Sequence, residues 1–325
     1  MALIIGDDSP NLLEGDGSAD TLIGLGGADT LDGLGGPDFL DGGAGADLVR
    51  GFTGNDTALG DIGNDTLEGE EGDDFLDGEE GADSVEGKEG NDFVVGGPGD
   101  DFLGGGVGAD SMFGGTNVGN FGSGNDTMFG DGENDLMLGG DGSDLVYGNA
   151  GDDQVNGNTG EDTVFGGDGA DFVRGGQEND LVFGDEGSDW HVNGNIGNDL
   201  VYGGLGADTV FGGQGDDRLF GNDGDDDLFG DLGADSLVGG FGADHFLFGN
   251  GSGFDLILDF EAAFESDRIG IAANVNGSGI ASGADVYARA FDNGIDTSID
   301  LGGGNFVVIA GTLRSDLVAG DFFVF

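Results

Sequence analysis

The chain has no cysteine and almost no positive charge: 7 Lys and Arg side chains stand against 67 Asp and Glu in 325 residues. Without cysteine there are no disulfides and no thiolate metal sites, and redox arguments leave the compartment open. A formal net charge of −60 excludes nucleic acids and anionic membrane surfaces as partners, since both require a basic footprint. The same charge opposes a compact state unless many small cations bind. No window holds 18 apolar residues, so no membrane span is expected. The opening MALIIGDDSP has a short apolar run and no basic flank, too little for a signal peptide, so any export address is expected elsewhere. Catalytic signatures are missing too: no H-E-x-x-H, G-x-S-x-G or phosphate-binding loop occurs. The two histidines, His191 and His245, fall in strand positions and are read as structural. The chain is therefore read as a non-enzyme.

What the chain does have is glycine, 78 residues of it, and a period of nine. Aspartates recur at Asp20, Asp29, Asp38, Asp47, Asp56, Asp65, Asp74, Asp83, Asp92, Asp101 and Asp110. They continue at Asp126, Asp135, Asp144, Asp153, Asp162, Asp171, Asp180 and Asp189, and again at Asp199, Asp208, Asp217, Asp226, Asp235 and Asp244. Five residues before these aspartates stands Gly in 24 of 25 units, and two residues before in 22 of 25, so the unit is G-x-x-G-x-D-x-U-x with U aliphatic or Met. Two joints break the register, a 16-residue step from Asp110 to Asp126 and a ten-residue step from Asp189 to Asp199.

The unit has a direct physical reading. Glycines supply positive φ and close backbone approach, so six residues turn tightly with their carbonyls directed inward. The residues after each Asp, such as T-L-I or F-V-R, alternate like a very short strand with the middle residue facing in. Two units then close one coil of 18 residues, and carboxylates from units n and n+2 converge on one gap. Asp171 is thereby expected to share ions with Asp153 and Asp189. Carboxylates and carbonyls are hard ligands that suit Ca²⁺ better than Mg²⁺, zinc or copper.

These units resemble the RTX, or haemolysin-type calcium-binding, nonapeptide G-G-x-G-x-D-x-U-x. The resemblance implies an all-β fold, a right-handed parallel β-roll solenoid with two repeats per turn and Ca²⁺ held between successive turns by the aspartates above. About two dozen ions would cancel most of the charge. One inward side chain per nine residues offsets little of the backbone entropy, so the apo chain is expected to be expanded and the loaded chain rigid. Two carboxylates per ion suggest affinities of roughly 10⁻⁴ to 10⁻³ M, the extracellular class.

Domains are expected at 1–10, a lead-in; 11–247, the roll, with irregular joints near 111–125 and 189–199; and 248–325, a C-terminal β-rich cap. The stretches ADHFLFGNGSGFDLILDF and SDRIGI and the final DFFVF resemble the capping and secretion-signal module of type I export. Asp255 and Asp259 are candidates for one further ion or for plain surface carboxylates. Family members often carry an enzyme or toxin domain ahead of the repeats, and repeats starting by residue 11 leave no room for one. Pore-forming members need long helices and acylated lysines, and this chain has one lysine, Lys88.

The outward residue after U reads Asp32, Asp41, Arg50, Leu59, Glu68, Asp77 and Glu86, a solvated face. Beyond the first joint one series becomes Phe129, Tyr147, Phe165, Phe183, Tyr202, Phe220 and Val238. The opposite sheet reads Leu138, Asn156, Arg174, Val192, Phe211, Phe229 and Leu247. A long aromatic ladder on an exposed sheet suggests contact with a protein, self or foreign, through Phe129, Tyr147, Phe165, Phe183, Tyr202 and Phe220. The expected function is a secreted, calcium-folded structural or cell-surface protein that assembles outside the cell. The alternative is a secreted adhesin or effector that binds a foreign partner through the ladder.

Overall fold

The computed structural model describes residues 2–115, 124–261 and 267–325. The part of the first joint at 116–123 lies outside the described residues. The chain divides into two compact units, Met1–Phe165 and Gly166–Phe325.

In the first unit every strand pairs in parallel with the strand two further along the chain. Leu48 faces Thr66, which faces Ser84, which faces Phe102; on the other sheet Phe39 faces Thr57 and Phe75 faces Phe93. Each step is 18 residues, so two nonapeptides make one coil, as the period requires. Across the first joint the step lengthens to 25, with Phe102 opposite Thr127 and Ser111 opposite Leu136, and then returns to 18 at Leu145 and Gln154. The joint therefore inserts seven residues without disturbing either sheet.

The strands alternate as the pattern predicts. In Thr57–Ile62 the residues Ala58 and Gly60 face inward and the rest outward. The core is consequently a double file of U residues, from Leu22 to Leu103 and then Met128, Met137 and Val146, all without solvent exposure. Between them stand the buried first glycines of the units.

The second unit begins with the same architecture. One sheet runs through Phe172–Gln177, His191–Ile196, Thr209–Gln214, Asp227–Leu232, His245–Phe248, Arg268–Ile271 and Phe322–Val324. The other runs through Leu181–Gly187, Leu200–Leu205, Arg218–Asp223, Ser236–Phe241, Phe254–Ile257 and Asn305–Ile309. An antiparallel hairpin, Thr297–Gly302 against Asn305–Ile309, and the helix Gly283–Arg289, capped by Ser282, complete the unit. Here the core thickens to Phe246, Phe248, Ile271, Val286, Ile299 and Leu301.

The second joint corrects one placement. Val192 is fully buried and pairs with Val173 and Val210 in the core file. Asn193 takes the outward position opposite Arg174 and Phe211. The extra residue of the ten-residue unit is Trp190, which is 59% exposed. Two residues after Asp189 the repeat rule would put His191 in the core file; the insertion at Trp190 moves the strand on by one residue, so the imidazole lies outward opposite Phe172 and Val192 fills the file.

Candidate metal centre

All 25 repeat aspartates are buried, none more than 4% exposed. In the first unit they form two files. The backbone N–H of Asp20 donates to the Oδ1 of Asp38, that of Asp38 to Asp56, and so on through Asp74, Asp92, Asp110, Asp135 and Asp153. The second file links Asp29, Asp47, Asp65, Asp83, Asp101, Asp126, Asp144 and Asp162 in the same way. In the second unit one file joins Asp171, Asp189, Asp208, Asp226 and Asp244, and the other joins Asp180, Asp199, Asp217 and Asp235. The expected convergence of units n and n+2 is thus made through the main chain of one coil and the carboxylate of the next.

At Asp20 the other carboxylate oxygen accepts from the N–H of Asp16, but at many later positions it has no such use. Oδ2 of Asp38, Asp56, Asp65, Asp74, Asp92, Asp199, Asp217 and Asp226, among others, is buried without a hydrogen-bond partner. A buried carboxylate oxygen with no donor is expensive, and repeating it in nearly every coil defines a set of cation-demanding positions. Burial pushes the carboxyls of Asp126, Asp135 and Asp235 up to about 8, against the lowering effect of the donated N–H; the neighbouring carboxylates add to the rise. Asp65, Asp101, Asp189, Asp217, Asp226 and Asp244 are raised to about 7 in the same way. Among the described residues no three His, Cys, Asp or Glu side chains gather at one point. An ion seated here would draw on a carboxylate or two, with main-chain oxygens and water available for the rest.

The glycines divide their work in a way that composition does not reveal. Five residues before each Asp, the glycine leaves space for the carboxylate itself: a β-carbon on Gly60 would lie 2.7 Å from the Oδ2 of Asp65 and 2.5 Å from the carbonyl oxygen of Gly78. Two residues before the Asp, the glycine has positive φ, 150° at Gly99, and a β-carbon there would overlap the carbonyl oxygen of Gly81 one coil earlier. The remaining left-handed position, four residues before the Asp, is often not glycine at all. Leu25, Leu34, Phe52 and Glu70 hold φ between 72° and 79° there, a conformation that costs L-residues about 1–2 kcal/mol.

Sequence spacing left Asp255 and Asp259 undecided and missed Asp267. Asp255 is fully buried and accepts from Asp235 N–H, continuing one file; its carboxyl is raised to about 7 by burial. Asp267 accepts from Asp244 N–H and continues the other. The steps are 20 and 23 residues, outside the nine-residue rule, and only the hydrogen-bond chain reveals them. Asp259 instead accepts from the amides of Gly239 and Gly240.

Outside the files, the rings of Phe129, Tyr147 and Phe165 stack at 5.0 and 4.6 Å in the first unit. Phe183, Tyr202 and Phe220 stack at 4.9 and 4.8 Å in the second. A further aromatic column was missed because half of it follows the Asp directly. In it Phe172 stacks on His191 at 4.4 Å, His191 contacts Phe211 and Phe211 stacks on Phe229. The other histidine, His245, meets Asp227 at 2.8 Å. Both histidines therefore have structural contacts.

A parallel roll of nonapeptide coils with files of buried aspartates along its edges is a cation-binding repeat fold. The sequence model of the RTX calcium-binding nonapeptide repeat matches nine overlapping or successive segments, from residues 5–40 to 220–255. The chain belongs to that family and is a calcium-binding repeat protein. Two solved structures are similar to parts of it. The R3 subunit of AlgE6, a mannuronan C5-epimerase of Azotobacter vinelandii, is 32% identical over 38% of this chain and 77% of its own, with a TM-score of 0.31. The extracellular lipase LipA of Serratia marcescens is 20% identical over 61% of this chain and 40% of its own, with a TM-score of 0.26. No curated protein matches. Among the described residues no helix is long and apolar enough to cross a membrane.

Proposed function

We propose that this is a secreted structural or cell-surface protein that folds, and assembles, when about two dozen Ca²⁺ ions fill its two edges outside the cell. The observation that carries the reading is the run of buried Oδ2 atoms without a hydrogen-bond partner, from Asp29 to Asp110 in the first unit and from Asp189 to Asp244 in the second. The residues that would hold the ions are the 25 repeat aspartates, with Asp255 and Asp267 extending the two files. Bound Ca²⁺ supplies the positive charge that lets these carboxylates remain ionised while buried. At ~10⁻⁴ to 10⁻³ M affinity the sites stay empty at cytosolic calcium levels, which suits a chain that is exported unfolded and folds in the medium. The stretch 248–325 would then serve as cap and export signal, and no enzymatic role is assigned.

Assembly is supported by the stacked rings of Phe129, Tyr147 and Phe165 and of Phe183, Tyr202 and Phe220, half-exposed on the outward faces of their strands. Sedimentation and electron microscopy across a calcium titration test the reading. Polymers that appear with Ca²⁺ and vanish in Phe165→Ser/Phe183→Ser support assembly. A loaded monomer would favour the adhesin or effector instead, and unchanged circular dichroism on loading would overturn the folding claim.

A further inference from the structure

The outward face of the first unit has a missing rung. In the strands Ser84–Glu89, Phe102–Val107 and Thr127–Gly132 the outward positions align as Glu86, Gly104, Phe129 and as Lys88, Gly106, Asp131. At both of these positions the middle strand has glycine, beside the outward Phe102. The result is a depression of 360 Å³ lined by Glu86, Lys88, Phe102, Gly104, Phe129 and Asp131, within the size range of small-molecule sites.

The walls differ in chemistry. Phe129 is stacked on Tyr147 through one face; its other face looks across Gly104. Phe102, on the same strand as Gly104, packs against Phe129, 5.6 Å away and inclined by 42°, so the two rings form an aromatic corner of the slot. Opposite stand Glu86 and Lys88, which pair with each other, and Asp131 lies beside the ring. Adjacent strands are about 4.8 Å apart, so Glu86 and Phe129 are separated by roughly two spacings, room for one ring laid parallel to Phe129.

The gap at Gly104 is not needed by the roll. Its φ is not positive, and a β-carbon there would make one ordinary contact, 3.7 Å from Cγ of Glu86. Gly106 differs, with φ of 106° and no space. The backbone would accept a side chain at 104, and the chain leaves the position bare.

We propose that this slot binds a neutral pyranose ring of a glycan. The gap beside the rings of Phe102 and Phe129 takes a ligand with C–H groups on its faces. Glu86 and Asp131 only accept hydrogen bonds and so demand donors at its rim, while Lys88 only donates and demands an acceptor. Hydroxyl and ring oxygens meet all three demands. An apolar ring leaves the carboxylates desolvated, a purely cationic ligand opposes Lys88, and an anionic sugar meets Glu86 and Asp131 in the slot. The inference deepens the reading of the aromatic ladder as a contact face by naming the ligand at one end.

Saturation-transfer NMR on the calcium-loaded protein tests it, with maltose, cellobiose and lactose as neutral probes, digalacturonate as the anionic probe and arginine amide as the cationic one. The expected result is transfer to ring protons of a neutral disaccharide and at least a tenfold weaker signal in Gly104→Leu, which fills the slot. Phe129→Leu should weaken it similarly by removing the platform. No transfer from any neutral probe, or transfer unaffected by Gly104→Leu, overturns the proposal, as does preferential binding of the charged probes. Gly104→Leu leaves Phe129, Tyr147 and Phe165 in place. Its sedimentation therefore reports on assembly separately, and either reading can fail without the other.

Discussion

The repeats and the C-terminal stretch solve the same problem with different materials. In the coils from Leu22 to Leu237 each nine-residue unit buries one aliphatic side chain, a glycine and an aspartate. After Asp244 the units give way to Phe246, Phe248, Ile269, Ile271, Ile299, Val307 and Ile309, packed together without solvent exposure, with a hairpin and a capped helix around them. The second region is held by hydrocarbon, the first by whatever neutralises its carboxylates. Dependence on metal should therefore be a local property of the chain.

The strongest way to break that contrast is to remove calcium. In excess chelator, hydrogen exchange should become fast at the amides of 30–237, while the hairpin Thr297–Gly302 and Asn305–Ile309 keeps protection longest. Equal loss in both regions would erase the distinction. Proton concentration should act next, and with a definite sign. The metal-free aspartates have folded pKa values raised from 3.8 to about 6 to 8, as at Asp92, Asp101 and Asp135. Their protonated forms thus favour the fold fully below pH 4, and that support is lost as pH rises through 6 to 8. In chelator, circular dichroism should show more strand at pH 4 than at pH 8. With calcium present the trend should reverse, because protons compete with the ion.

Single substitutions sharpen the comparison further. Gly81→Ala places a methyl group onto the carbonyl of Gly63 and should cost several kcal/mol, read as a higher calcium midpoint for folding. Gly249→Ala, with open space around it, should be close to neutral. The smallest effect is expected at Arg50, whose guanidinium meets Asp32 at 2.8 Å on a partly exposed face. Arg50→Ala should shift thermal stability by less than about 1 kcal/mol.

The nine-residue period made the coil, the inward U file and the aspartate files legible, because strand alternation and glycine sterics act over a few residues. What spacing could not show lies where a longer contact overrides the period. Asp267 joins its file after a 23-residue step because the main chain of Asp244 is held there by a hydrogen bond. Val192 enters the core in place of His191 because the inserted residue at Trp190 shifts the strand by one. The left-handed backbone at Leu25 and Phe52 is imposed by stacked coils; local preference alone would have placed glycine at both positions.

The hydrogen bond from each aspartate N–H to the carboxylate one coil later gives the stack a direction. Every coil offers its aspartate N–H donors toward the coil that follows and is completed by it, so no coil is finished on its own. In a chain that folds from its N-terminal end, each turn waits for its successor. Asp255 and Asp267, which accept from the last repeat aspartates of the two files, act as the latch that lets both edges close. A break in one file would therefore be felt upstream of the lesion more than downstream, which makes this fold a ratchet with a preferred sense.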